Sequence, residues 1–168
     1  MITIDFETYY DKDFSLTKLT TEEYVRDPRF EVIGVAVKVN DGVTEWFSGD
    51  FQQTAIWLRQ FDWENQFVLA HNAMFDSAIL TWHFGIKPKA WLDTLCMARA
   101  TLGVNTSMSL AKLTEHFGLG AKGTEVDDAK GFRRLDFSPE HLAQYAEYCR
   151  NDVDLTYKLY HELNTGFP

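Results

Sequence analysis

The chain has 168 residues, 45% of them hydrophobic and 15% aromatic, which suits one ordinary-sized core and excludes a disordered chain. A formal net charge of −9 argues against the broad basic face that grips phosphate, so any nucleic acid must be held largely through cations and stacking. Cys96 and Cys149 fall outside any CxxC spacing, which leaves no zinc site or disulfide framework and reads as two buried small hydrophobes; no apolar run approaches the ~18–20 residues of a membrane span.

Ile2–Phe6 reads as a short strand, followed by a polar loop with a helical turn at Thr21–Arg26. The β-branched alternation of Glu31–Asn40 predicts a strand, Asp41-Gly42 a hairpin turn and Val43–Phe47 the returning strand. Ile56, Leu58 and Phe61 give Gln52–Phe61 a loose helical spacing. Phe67–Ala70 is a buried strand, Met74–Phe84 a helix closed by Gly85 and Pro88, and Trp91–Leu92 a short extended piece. Helices are predicted over Thr94–Leu102 and Ser109–Phe117, then a long mobile loop over Ala121–Phe137. Ser138 as cap and Pro139 in the first turn open a last helix reaching Leu163. The whole reads as a single α/β domain over 1–168 with a mixed sheet, and the start MITIDFETYY lacks a signal-peptide pattern, so a cytoplasmic compartment is expected.

Three short motifs carry chemistry. In Asp5-Phe6-Glu7 the strand period puts both carboxylates on one face, able to converge on a hard cation, while Phe6 points into the core. Taken alone, such a pair marks a surface strand end more often than a site. His71-Asn72-Ala73-Met74-Phe75-Asp76 joins a strand to a helix: Asn72 suits a cap or turn, and Asp76 in the first turn is favoured by the helix dipole whatever else it does. In the last helix Tyr148 and Asp152, four residues apart, share a face at the margin of a stripe formed by Leu142, Ala146, Cys149, Val153 and Tyr160; Asp154 reads as a solvated charge.

In this order, D-x-E on a first strand, N-x-x-F-D at a strand-to-helix junction and Y-x-x-x-D on a late helix resemble the three motifs of the DEDD 3′→5′ exonucleases. The tyrosine variant is indicated, most similar to the proofreading domain of family A, phage-type DNA polymerases. The resemblance runs from Asp5 to Asp152 and implies a ribonuclease-H-like fold with a site of Asp5, Glu7, Asp76, Tyr148 and Asp152. It further implies two divalent ions, Mg²⁺ with Mn²⁺ as substitute: Asp5 bridging both, Glu7 and Asp152 completing one site, Asp76 reaching the other through water, and Tyr148 orienting the attacking water. Single-stranded DNA or a frayed 3′ end would be the substrate. Asn72, Thr8 and the backbone at Phe6 would lie near the terminal nucleotide.

Lys122, Lys130, Arg133 and Arg134 form the notable basic cluster, either tracking the strand's phosphates or standing as solvated charge among Glu125, Asp127, Asp128 and Asp136. Asp93 reads as a helix cap and His71 as a structural histidine. The rival readings are a DEDD exoribonuclease trimming RNA ends and a catalytically silent polymerase module, the latter opposed by the intact carboxylate set. The end at Pro168 suits either a small stand-alone nuclease or a domain that works with a polymerase.

Overall fold

Side-chain alternation along the first strand, β1 (Ile2–Thr8), organises the molecule: Ile2, Ile4 and Phe6 enter one hydrophobic cluster, whereas Asp5 and Glu7 face the other side of the sheet. This computed structural model describes residues 1–103, 105–121, 123 and 129–166. β2 (Val32–Val39) and β3 (Glu45–Phe47) pair antiparallel on one side of β1. β4 (Phe67–Ala70) and β5 (Ala90–Asp93) pair parallel on the other, giving the order β3-β2-β1-β4-β5. The expected α/β class with a mixed central sheet is what forms.

α1 (Thr21–Arg26), α2 (Phe51–Leu58) and α3 (Ala73–Trp82) pack on the face that carries Ile4 and Phe6, adding Tyr24, Val25, Leu58, Ile79 and Leu80 to its core. The other face is covered by α6 (Pro139–Gly166), whose Tyr145, Tyr148, Cys149 and Val153 meet Ile33 and Ala36 of β2. Farther along, Leu155, Leu159 and Leu163 of α6 close a third cluster with α4 (Thr94–Leu102) and α5 (Leu110–His116). Among the described residues no helix is long and apolar enough to cross a membrane.

Several expectations change. α2 begins at Phe51 because Asp50 and Gln53 form a reciprocal capping box there; it stops at Leu58, leaving Ile56 exposed and Phe61 beyond the helix. Val43 is exposed and β3 starts only at Glu45. Cys149 is buried as expected, but Cys96 lies on the exposed side of the first turn of α4, whose inward residues are Thr94, Met97 and Ala98. Residues 129–137 are not a mobile loop: Ala129 is buried, the Gly131 N–H donates to the Tyr10 carbonyl at 2.8 Å, and Arg134–Asp136 form a 3-10 turn. Lys122, Glu125, Asp127 and Asp128 lie outside the described residues.

Ser138 Oγ accepts from the His141 N–H at 3.2 Å, so the predicted cap opens α6, which continues past Leu163. Its buried stripe is wider than its apolar residues suggest. Tyr148 and Asp152 are buried, not marginal, because α6 is packed between the sheet and the α4–α5 pair. Asp154 is no free surface charge either. It accepts from Lys38 Nζ at 3.0 Å and Thr44 Oγ1 at 2.6 Å, pinning the β2–β3 connection to α6.

Candidate active site

The two carboxylates of β1 stand opposite the smallest residues of β2: Asp5 pairs in register with Ala36 and Glu7 with Gly34. The Trp46 ring lies over Gly34, α6 packs on the sheet at Ala36, and α6 delivers Asp152. One ligand oxygen from each of Asp5, Glu7 and Asp152 lies within 4.8 Å of the others. Asp5 and Glu7 are half-buried and Asp152 is only 4% exposed. Three carboxylates this close repel one another, and an oxygen-only donor set suits a hard divalent cation.

Asp76 stands outside that cluster, 2% exposed on the first turn of α3, and accepts from the Phe6 N–H at 3.0 Å. Burial, reinforced by the charges of Glu7 and Asp93 and opposed by the Phe6 N–H, pushes its carboxyl up to about 8. The turn before it is held from outside. Asn72 adopts a left-handed backbone (φ 66°) and its side chain makes no capping bond. Asp93 at the end of β5 caps instead, accepting from the N–H groups of Asn72 (3.0 Å), Ala73 (3.1 Å) and Leu95 (2.9 Å). One carboxylate thus fixes the starts of both α3 and α4, more than the single cap expected of it.

α6 presents two tyrosines to the cluster. Tyr148 hydrogen-bonds Asp152, and burial, with the charges of Asp152, Glu7 and Asp5, raises its hydroxyl far above the usual tyrosine range. It is held as a neutral donor. Tyr145, singled out by none of the motifs, donates to Glu7 Oε2 at 2.8 Å, and the Cys149 thiol, also driven up by burial, bonds the same carboxylate. The only sequence signal for Tyr145 is its i, i+3 spacing from Tyr148.

Phe6 is buried and stacks on Phe84 at 5.9 Å. Thr8 is buried, its hydroxyl 2.9 Å from that of Tyr24 and so turned away from the carboxylates. Arg133 pairs with Glu31 at 2.7 Å and lies 4.0 Å over the Tyr9 ring, while the Arg134 N–H donates to Glu31 at 3.1 Å. His71 bridges Thr94 Oγ1 (2.8 Å) and the Met108 carbonyl (2.9 Å), the structural role expected of it.

A mixed sheet with a carboxylate cluster on its middle strand and a tyrosine on the helix above it is the arrangement of a DEDD-type nuclease. Residues 25–167 match the family model of the 3′–5′ exonuclease domain of family A DNA polymerases, and the chain belongs to that family. The matched stretch includes Asp76, Tyr148 and Asp152; Asp5 and Glu7 precede it. No curated protein sequence matches the chain. Among solved structures, Brucella melitensis NrnC is similar at TM-score 0.69 and 17% identity, over 98% of this chain and 72% of NrnC. Trypanosoma brucei RNase D in complex with RNA U12 is similar at TM-score 0.71 and 16% identity, over 96% and 54% of the two chains. The family B DNA polymerase of Pyrobaculum calidifontis is similar at TM-score 0.68 and 18% identity, over 97% of this chain and 24% of the polymerase. NrnC has also been solved with bound Mg²⁺ and bound to pGG. The fold is the ribonuclease-H-like fold of the DEDD exonucleases.

Proposed function

We propose that the protein is a metal-dependent 3′→5′ exonuclease that hydrolyses DNA from its 3′ end and releases nucleoside 5′-monophosphates, in proofreading or end trimming. The observation that carries this reading is the convergence of Asp5, Glu7 and Asp152 within 4.8 Å. That donor set fits two Mg²⁺ ions, with Mn²⁺ as substitute, which Asp5, Glu7 and Asp152 would hold with help from Asp76. When bound, such a pair supplies a nucleophile at neutral pH and offsets the charge that develops at phosphorus and on the leaving oxygen.

The chain's own groups do the rest. Tyr148, neutral in its buried setting, donates its one proton to Asp152 and orients the attacking water through its hydroxyl oxygen rather than acting as its base. Asn72, exposed at the left-handed turn, and the backbone from Phe6 to Thr8 contact the terminal nucleotide. Arg133 and Arg134 lie along the phosphates of the incoming strand. The substrate is single-stranded DNA or a frayed 3′ end, and a polymerase domain or partner helps deliver it against the acidic charge.

A second reading, trimming of RNA 3′ ends, is favoured by the similarity to an RNase D solved with RNA. End-labelled single-stranded DNA and RNA, incubated with Mg²⁺ or Mn²⁺, separate the two. DNA shortened from the 3′ end, with activity lost in EDTA and in Asp5→Ala, is expected; RNA degraded while DNA survives selects the second reading. Activity that persists in Asp5→Ala overturns the mechanism.

A further inference from the structure

Tyr145 is 2% exposed in the middle of an aromatic stack. It lies parallel to Phe137 (ring centroids 5.3 Å, 18°) and Tyr148 (6.1 Å, 2°) and meets Trp46 edge-on (6.4 Å, 79°). The stack leaves the ring little freedom to reorient, and its single polar atom ends on Glu7 Oε2 at 2.8 Å. Tyr145 and Tyr148, one helical turn apart, therefore act as parallel posts, each bonded to a different carboxylate of the cluster.

We infer that Tyr145 is a positioning residue for the cation site, its hydroxyl holding Glu7 by Oε2 so that Oε1 is presented to the cation. A glutamate has three rotatable side-chain bonds, and at a half-buried strand position nothing in the backbone selects one orientation. A donor mounted on a packed ring selects it before the cation arrives, as outer partners do for ligating carboxylates generally. The Cys149 thiol is a weaker donor to the same carboxylate and leaves the main part to the phenol. This inference rests on the reading of Glu7 as a cation ligand.

Tyr145→Phe tests it, because the variant removes the hydroxyl and keeps the ring in its stack. Mn²⁺ binding to the nucleic-acid-free protein, read by electron paramagnetic resonance of the free ion, is compared for wild type, Tyr145→Phe, Glu7→Gln and the double variant. Weakening of about tenfold is expected for Tyr145→Phe, and no further weakening when it is added to Glu7→Gln. In turnover assays the Mg²⁺ concentration for half-maximal rate should rise by a similar factor while kcat at saturating Mg²⁺ is largely restored, a split that general loosening does not produce. Wild-type Mn²⁺ affinity in Tyr145→Phe overturns the inference, as does an equal loss in both Glu7 backgrounds. The cycle compares folded proteins in each background, so a lowered melting temperature alone does not imitate coupling. If wild type binds no Mn²⁺, or Glu7→Gln binds it unchanged, the cation reading itself falls and this inference with it.

Discussion

The backbone N–H of Phe6 donates to Asp76 Oδ1 at 3.0 Å, tying the middle strand of the sheet to the first turn of α3. The bond crosses seventy positions of sequence and joins the first motif, D-x-E, to the second through main chain rather than through another side chain. It also keeps Asp76 in a dry place where its charge is unwelcome.

That placement makes the metal-free protein sensitive to pH. Asp76 rises from an ordinary 3.8 to about 8 on folding, so between those values the folded chain binds a proton that the unfolded chain does not. Its contribution to stability is full below pH 4, is lost as pH rises towards 8 and is flat beyond. Asp76→Asn keeps an oxygen for the Phe6 N–H and removes the charge. In EDTA the variant should melt at least about 3 °C above wild type at pH 8 and show no such gain at pH 4. Equal melting temperatures at pH 8 would mean that Asp76 is not burdened by its burial.

How much of this could be read from residue order is uneven. Asp5 and Glu7 were legible because a strand has a fixed two-residue period, and Tyr148 with Asp152 because a helix brings i and i+4 together. Asp93 was legible as a cap for its own helix, yet its hold on Asn72 and Ala73 depends on β5 lying beside β4, which no local pattern encodes. Tyr145 escaped for the same reason: its meaning comes from which β1 residue it meets across the α6–sheet interface. The burial of Tyr148 and Asp152 is not legible in the sequence, because polar residues in a helix read as its outer margin unless the layer packed above them is known.

The two arginines before α6 offer a separate test of strand binding. Arg133 is already paired with Glu31 and lies over Tyr9, so its charge is partly spent. In the proposal both still lie along the strand's phosphates. Each phosphate contact on a single strand adds about 0.7 to the salt slope, so Arg133→Ala with Arg134→Ala should reduce that slope by roughly 0.7–1.4. The measurement is fluorescence anisotropy of labelled oligonucleotide over a range of salt, with Ca²⁺ in place of Mg²⁺ to prevent cleavage. An unchanged slope reduces the pair to structural charges that hold residues 129–137 against Glu31.

Gly34 tests whether the space beside Glu7 is part of the design of the site. It is the register partner of Glu7, and a Cβ there would come within 2.2 Å of two Trp46 ring carbons and 2.9 Å of the Phe47 carbonyl. Trp46 in turn meets the Tyr145 ring edge-on, so the contacts run from a missing side chain on β2 through two rings to the carboxylate. Gly34→Ala must displace Trp46, and overpacking of this kind costs about 1–3 kcal/mol, measurable by urea unfolding. The displaced indole pushes on Tyr145, so nuclease activity should fall further than the lost stability accounts for at a temperature where the variant is still folded. Replacing Trp46 by Ala removes the obstructing ring but not the Phe47 carbonyl, so the Gly34→Ala penalty should shrink in that background without vanishing. The same penalty with and without the indole would show that the glycine serves the backbone of β2 rather than the approach of Trp46.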